Sequence, residues 1–139
     1  MFEFRTKFRV RYADTDQMGY VYYGNYASYF ETGRVEALRS LGISYRELEA
    51  GGVMMPVLEN YSKFIRPAFY DDLLEIRVML KEMPAARIRF EYEIFRENGE
   101  LIHIGYTVLV FVSVSSKKIV SPPAVIVDAL SGFFKKSPE

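Results

Sequence analysis

From position 2 to position 12, apolar or small residues alternate with charged ones. Successive side chains of a strand point to opposite faces, so this period of two predicts a strand with one solvated face. After a turn-like segment, 13–24, the period becomes helical and Gly42 supplies a helix stop. The apolar positions of this predicted long helix are Tyr26, Tyr29, Phe30, Gly33, Ala37, Leu38 and Leu41.

The chain beyond Gly42 predicts one short helix followed by strands. Ser44 and Glu47 have the spacing of a capping box, which predicts a helix over 45–50. Alternating runs then predict strands over 53–65, 73–82, 87–95 and 100–114, with a break near Arg66 and a hairpin at Asn98-Gly99. The segment 125–134 is interpreted as a short amphipathic helix, with an edge strand as the alternative.

The order of these elements predicts an α+β fold. One strand, one long helix and several antiparallel strands leave a single sheet that must bury one face on the helix. Gly33 and Ala37 lie on the apolar stripe of that helix, where small residues allow a close approach to the sheet. A length of 139 residues predicts one domain, 1–139.

Composition narrows the classes of function. Half of the residues are hydrophobic and 16% are aromatic, which favours a packed globular core. Eighteen basic residues balance eighteen acidic ones, so we expect neither a nucleic acid partner nor attraction to a membrane surface. Without a long apolar stretch or a signal-peptide pattern, we expect a cytoplasmic protein with no membrane insertion.

The reactive side chains are also few. The chain has no cysteine and one histidine, His103, which excludes thiol nucleophiles, disulfides and sites with two histidine ligands. We therefore expect no metal site. An isolated histidine in a strand-like run is more often a core or surface residue than a catalyst.

The segment between the first strand and the long helix carries the candidate chemistry. Asp16 lies two residues after Asp14 and three before Gly19, and the helix begins near 23–25. A helix N-terminus offers unpaired N–H donors and about +0.5 of a charge, which can polarise a carbonyl. A carboxylate facing that carbonyl can attack it or activate a water. The alternative is that both aspartates are ordinary turn and cap residues, and spacing alone does not decide between the two.

The same segment resembles the signature of the 4-hydroxybenzoyl-CoA thioesterase family. The resemblance rests on the run from Tyr12 to Tyr26, with its core Asp-x-Asp-x-x-Gly-x-Val-x-x-x-Asn-Tyr, on Glu31 and Arg34, and on the later run 64–72. It implies a hotdog fold, a curved antiparallel sheet wrapped around one long central helix. It also implies active sites at a dimer interface, and hence a homodimer or homotetramer.

The resemblance further implies roles for individual residues. Asp16 would be the catalytic nucleophile or general base, and the backbone N–H of Tyr23 would polarise the carbonyl of a thioester. Gly19 and Val21 would shape the loop, and Asn25 would fix the start of the helix. The substrate would be an acyl-CoA or acyl-carrier-protein thioester, hydrolysed to a carboxylic acid and a thiol. No cofactor is implied, since CoA is part of the substrate.

Two groups of residues are candidates for contacts with the rest of the substrate. Contacts from the partner subunit are expected on the strand after the helix, at Asn60, Tyr61 and Ser62. The CoA phosphates are expected to meet basic side chains, for which the candidates are Lys63, Arg66 and Arg87. Solvated surface charge is the alternative for each of these cations, and the segment 84–86 lacks the basic cluster of some relatives.

Several further residues have two possible roles. Glu31 and Arg34 have the spacing of a helical ion pair. A cluster of tyrosines either lines an acyl pocket or packs against the sheet: Tyr20, Tyr22, Tyr23, Tyr26 and Tyr29. A non-catalytic acyl-CoA-binding module is the alternative function. Dehydratase chemistry is disfavoured because it uses a histidine in those relatives, and His103 lies far along the chain from the signature.

Overall fold

The computed structural model describes residues 1–134, and its helices and strands follow the predicted order. In chain order they are β1 (Phe2–Arg9), α1 (Tyr26–Ser40), α2 (Tyr45–Ala50), β2 (Val53–Met54), β3 (Val57–Phe64), β4 (Leu73–Leu80), β5 (Arg87–Arg96), β6 (Leu101–Val110), β7 (Val112–Ser113) and α3 (Ala124–Ser131). Two short 3-10 turns, Tyr12–Asp14 and Tyr23–Asn25, lie between β1 and α1. The α+β class and all three predicted helices are confirmed, so the C-terminal segment forms a helix rather than an edge strand. Within residues 1–134, no helix combines the length and apolar character needed to cross a membrane.

One antiparallel sheet of five strands forms the body of the fold. Its strand order is β1-β4-β5-β6-β3, which places two strands of distant sequence, β1 and β3, at the edges. Helix α1 packs across the inner face, where Phe30 stacks on Tyr92 of β5 with ring centroids 4.2 Å apart. Gly33 and Ala37 face the sheet as predicted, and Ala37 is fully buried.

The predicted strand over 53–65 is wrong in one respect, because it divides between two sheets. Val53–Met54 pairs with Val112–Ser113 in a separate two-stranded ladder, whereas Val57–Phe64 joins the main sheet beside β6. The chain crosses from one ladder to the other at 55–56, where Pro56 has no N–H to donate to a ladder. The predicted strand over 100–114 divides in the same way at Phe111.

Gly105 of β6 marks the tightest point of the sheet. A Cβ atom at this position would overlap both the Tyr61 carbonyl oxygen of β3 and the Phe30 ring of α1. Only a residue without a side chain lets the helix, β6 and the edge strand meet here.

The two edges of the sheet differ in character. The outer face beside β1 carries ion pairs, with Glu3 contacting Arg77 and Arg5 contacting Glu75, both at 2.8 Å. By contrast, all of β3 is exposed except the half-buried Ser62. Its exposed apolar side chains are Val57, Leu58, Tyr61 and Phe64. An unpaired strand edge with apolar side chains is a ready template for pairing with another strand.

The ion pair that the spacing of Glu31 and Arg34 allowed is not formed among residues 1–134. Arg34 is buried and donates hydrogen bonds to the hydroxyls of Tyr45 and Tyr92, both at 3.2 Å. Glu31 lies on the exposed side of α1. The two residues therefore face different surroundings although their spacing along the helix would allow contact.

Candidate active site

Asp14 anchors the loop between β1 and α1. Its carboxylate accepts three hydrogen bonds of 3.0 Å, from the backbone N–H of Arg11, the Arg11 guanidinium and the Tyr29 hydroxyl. Burial alone would raise the pKa of Asp14, which is only 4% exposed, but these three donors outweigh it and hold the pKa below its usual value. Because both of its carboxylate oxygens accept hydrogen bonds within the fold, Asp14 fits the alternative role, that of an ordinary turn residue.

Asp16 lies in a tight turn that leaves part of its carboxylate free. Its N–H donates to the Tyr20 carbonyl at 2.9 Å, and its own carbonyl accepts from Gly19 N–H at 3.0 Å. The Oδ1 atom accepts from the backbone N–H of Met18 at 2.9 Å. Among residues 1–134 the other carboxylate oxygen has no hydrogen-bond partner. Gly19 has a φ of +82°, a left-handed conformation that favours glycine and closes the turn.

The start of the helix is tied to the same loop. Asn25 donates from Nδ2 to the Asp14 carbonyl at 2.8 Å, and the Tyr22 N–H donates to the same oxygen at 2.8 Å. Within the described part of the chain, the N–H groups of Tyr23 and Gly24 have no acceptor. Both residues belong to the 3-10 turn Tyr23–Asn25, which runs directly into α1 at Tyr26, so they are the unpaired donors at the start of a continuous helical segment, where the dipole adds positive potential.

One cavity brings the carboxylate and the helix start together. It has a volume of about 310 Å³, and three of its lining rings belong to Tyr20, Tyr26 and Phe64. The full lining comprises Asp16, Met18, Tyr20, Val21, Tyr23, Tyr26, Phe64, Ile65, Arg66 and Pro67. Tyr22 and Tyr29 lie outside this lining, so the tyrosine cluster divides between the cavity and its surroundings.

The predicted binding residues are dispersed. Val21 is buried, and its N–H donates to the Ala68 carbonyl at 2.8 Å, while Arg66 reaches the cavity rim and pairs with Glu100 at 3.1 Å. Lys63 is exposed on β3 outside the lining. Tyr61 lies on the outer face of the sheet, stacked on Tyr106 with centroids 5.3 Å apart. The binding roles of these residues stay predictions.

Arg87, a predicted contact of the CoA phosphates, lies away from the cavity around Asp16. It begins β5, opposite Val110, and lines a separate cavity of about 460 Å³ with Lys81 and Arg89. Within one chain it does not reach the cavity around Asp16. Its role in binding CoA also stays a prediction.

His103 forms part of the core behind the cavity. It is fully buried and stacks on Tyr26 with centroids 3.9 Å apart, and burial lowers its pKa to about 4. Its Nε2 lies 3.0 Å from the Ser62 hydroxyl oxygen. The prediction of a core or surface histidine is confirmed. Its position behind the cavity was missed, because only the pairing of β6 with β3 brings it there.

The described residues offer no obvious metal site. Within 1–134, no group of three or more histidine, aspartate or glutamate side chains is arranged to hold an ion. The polar groups of the cavity residues are instead the Asp16 carboxylate, the Arg66 guanidinium, tyrosine hydroxyls and backbone N–H donors; a carboxylate beside such donors suits attack on a carbonyl.

Comparison with known proteins identifies the family of the chain. A family model described as the thioesterase-like superfamily matches residues 10–130. The acyl-CoA thioester hydrolase YbgC of Escherichia coli O6:H1 is 32% identical over 124 residues, covering 89% of this chain and 92% of that protein.

Solved structures give the same answer for the fold. The DHNA-CoA thioesterase of Staphylococcus aureus superposes with a TM-score of 0.83 at 31% identity, covering 96% of this chain and 85% of that one. A hypothetical protein from Thermus thermophilus superposes with a TM-score of 0.88 at 36% identity, covering 97% of this chain and 100% of that one. The narrower resemblance to 4-hydroxybenzoyl-CoA thioesterases stays a prediction. The chain belongs to the thioesterase-like superfamily and has the hotdog fold that the sequence predicted.

Proposed function

We propose that this protein hydrolyses acyl-CoA thioesters to a carboxylic acid and free CoA. The observation that carries the proposal is the shared cavity, whose lining includes both Asp16, which keeps one carboxylate oxygen free, and Tyr23, whose backbone N–H is unpaired. The predicted enzyme class, an acyl-CoA thioesterase, is borne out by relatives with that activity that match most of the chain.

In the proposed reaction the carbonyl oxygen of the thioester accepts a hydrogen bond from the Tyr23 N–H. The negative charge that develops on this oxygen is stabilised by the donor and by the helix N-terminus. Asp16 then acts in one of two ways. As a nucleophile it bonds to the carbonyl carbon, the C–S bond breaks, the thiolate leaves and water cleaves the resulting anhydride. As a general base it takes a proton from the water that attacks the same carbon; the C–S bond then breaks, and the thiolate leaves and takes up that proton.

The walls of the cavity suit an acyl group that has a flat or extended apolar surface. The rings of Tyr20, Tyr26 and Phe64 offer apolar faces next to the reacting centre. Arg66 at the rim is the basic side chain best placed to meet a phosphate of CoA or of a carrier-protein arm.

The first test is free-thiol release from a panel of aryl and straight-chain acyl-CoA esters and acyl-carrier-protein thioesters. We expect Asp16→Asn to lower kcat by about 10²–10⁴-fold, because the free carboxylate is lost. The matched control is Asp71→Asn, at an exposed aspartate with a φ of 69° that asparagine also tolerates.

The outcomes separate the candidate functions. Unchanged turnover in Asp16→Asn would show that Asp16 is not the catalytic group. If the natural protein binds the esters but releases no thiol, the cavity belongs to a non-catalytic binding module.

We also propose that the enzyme is a homodimer, or a homotetramer built from such dimers, joined through β3. The unpaired backbone edge and exposed apolar side chains of β3 support this arrangement. Because Phe64 of β3 lines the cavity, a second subunit on this edge would complete the open side of the site.

Sedimentation tests the assembly. Leu58→Asp places a charge on the exposed edge strand and should shift the protein toward monomer with loss of turnover. Val125→Asp, at a similarly exposed apolar position on α3, should sediment like the natural protein. A natural protein that sediments only as a fully active monomer would contradict the proposal.

A further inference from the structure

His103 lies directly behind the wall of the candidate cavity. It pairs with Phe64 across β6 and β3, stacks on Tyr26 at 3.9 Å, and meets the edge of the Phe64 ring with centroids 4.8 Å apart. Both Tyr26 and Phe64 line the cavity that contains Asp16. The imidazole is therefore one side chain removed from the bound substrate, and the proposed reaction does not use it.

The two nitrogens of this imidazole differ in their hydrogen bonding. Nε2 lies 3.0 Å from the Ser62 hydroxyl, whereas Nδ1 is buried and has no partner among the residues described. Because burial lowers the pKa of His103 to about 4, the ring is neutral near neutral pH and carries a single N–H. An unpaired buried N–H is rarer in proteins than an under-satisfied acceptor. The proton is therefore favoured on Nε2, which donates to Ser62, and the unpaired Nδ1 keeps only a lone pair.

This tautomer decides what the Ser62 hydroxyl can do. An oxygen that accepts from His103 has its own proton free to donate elsewhere. Ser62 is half-buried and precedes Phe64 by two residues, so both side chains point to the same face of β3. The free proton is thus available on the side of the strand where Phe64 borders the cavity.

We infer that His103 is a positioning residue, which fixes the Ser62 hydroxyl as a hydrogen-bond donor to an acceptor oxygen of the bound thioester. The inference rests on the proposed function, since it assigns a contact to the same substrate. Ser62 lies outside the lining around Asp16, so the acceptor oxygen belongs to a part of the substrate that extends past Phe64, and the contact serves binding rather than the bond-breaking step. A contact made equally in the ground state and the transition state changes KM and leaves kcat unaltered.

The tautomer can be read directly, because His103 is the only histidine in the chain. Protein labelled with ¹⁵N-histidine should show one neutral imidazole with its proton on Nε2 from about pH 5 to pH 8. A proton on Nδ1, or an imidazolium ring near pH 6, would overturn the inference. This readout needs no turnover, so it is independent of whether the proposed hydrolysis is correct.

A double-mutant cycle tests the contact with substrate. Ser62→Ala should raise KM roughly three- to tenfold with kcat unchanged, the usual effect of losing one hydrogen bond. His103→Phe keeps a ring beside Tyr26 but removes the donor, and should raise KM by a similar factor. In the Ser62→Ala background, His103→Phe should add nothing, because His103 acts through the hydroxyl.

A control separates positioning from simple packing. His103→Gln keeps an N–H donor near the place of Nε2 and should hold KM closer to the natural value than His103→Phe does. Thermal unfolding establishes that each variant is folded. If His103→Phe does not fold, the KM values of His103→Gln and Ser62→Ala are compared instead. The inference would be overturned if His103→Phe raised KM by the same factor in the natural protein and in the Ser62→Ala variant. It would also be overturned if Ser62→Ala did not raise KM.

Discussion

The two aspartates of the loop before α1 have opposite surroundings although one residue separates them. Asp14 is buried, and its carboxylate accepts from Arg11 and Tyr29. Asp16 is half-exposed and lines a cavity, and only one of its carboxylate oxygens accepts a hydrogen bond, from the Met18 N–H. The same functional group therefore holds the loop at one position and is free for chemistry at the other.

This difference teaches that stability and activity can be separated within a very short segment. A buried carboxylate whose two oxygens both accept hydrogen bonds within the fold stabilises the fold but cannot readily attack a substrate. A carboxylate with a free oxygen beside a helix N-terminus contributes less to the fold and more to the reaction. Substitutions at the two positions should consequently affect different measurements.

The largest expected effect is on catalysis at Asp16. Asp16→Glu keeps the charge but moves the carboxylate by about one methylene, and such a misplacement costs about 10²-fold in rate. We expect kcat to fall by that factor while the free energy of unfolding in urea stays close to the natural value. A variant with full activity would show that the position of the carboxylate is unimportant.

The next effect is on stability at Asp14. Asp14→Asn replaces one acceptor oxygen by an NH₂ group that faces donors, and should lower the free energy of unfolding by about 1–3 kcal/mol. Urea unfolding measures this loss. Asp72→Asn is the control, because the half-exposed Asp72 accepts a single backbone N–H, that of Phe69. If both variants lose the same stability, the buried network around Asp14 is not special.

A smaller effect is expected where the turn closes. Gly19→Ala should destabilise the protein by about 1 kcal/mol, because a side chain is strained at φ +82° even though no atom lies near the added Cβ. Gly132→Ala is the matched control, since Gly132 has a φ of −65° and equally open space. Gly132→Ala should be neutral or slightly stabilising, and a similar loss at both glycines would remove backbone strain as the cause.

The smallest expected effect is the change in the free energy of unfolding at acidic pH. The pKa of Asp14 is lower in the folded protein than in the unfolded chain, where aspartate titrates near ~3.9. Its contribution to stability is therefore complete above about pH 4 and declines as the pH falls through the folded value. Natural protein and Asp14→Asn should differ most in unfolding free energy near neutral pH, and the difference should narrow below about pH 4. A difference that widens in acid would contradict this assignment.

Much of the fold was predictable because its signals are local. The alternation along β1, the helical spacing of α1 and the Ser44 cap, which accepts from the Glu47 N–H at 3.1 Å, are each encoded within a few residues. The crossing between ladders at 55–56 was not predictable. Apolar residues continue through the crossing. The division between β2 and β3 is set by their different pairing partners, β7 and β6, which lie much later in the chain.

The candidate site was predictable only in part for the same reason. The resemblance pointed to Asp16 and Tyr23, and both line one cavity. Spacing alone could not tell that Asp14 is buried against Tyr29, or that Arg34 bonds to Tyr92, 58 positions away. Arg87 was expected among the CoA contacts because of its charge, yet its place at the start of β5 lies in a different cavity.

Gly105 limits how far this protein can vary. Its missing side chain leaves room for both the Phe30 ring and the Tyr61 carbonyl, so one position governs the spacing of the helix and of the edge strand. Any other residue there would move α1 and β3 apart together, disturbing the core and the open edge in a single step. In a library with random changes at every position, we expect site 105 to return glycine alone among the active clones, whereas the exposed positions of β3 accept many residues singly.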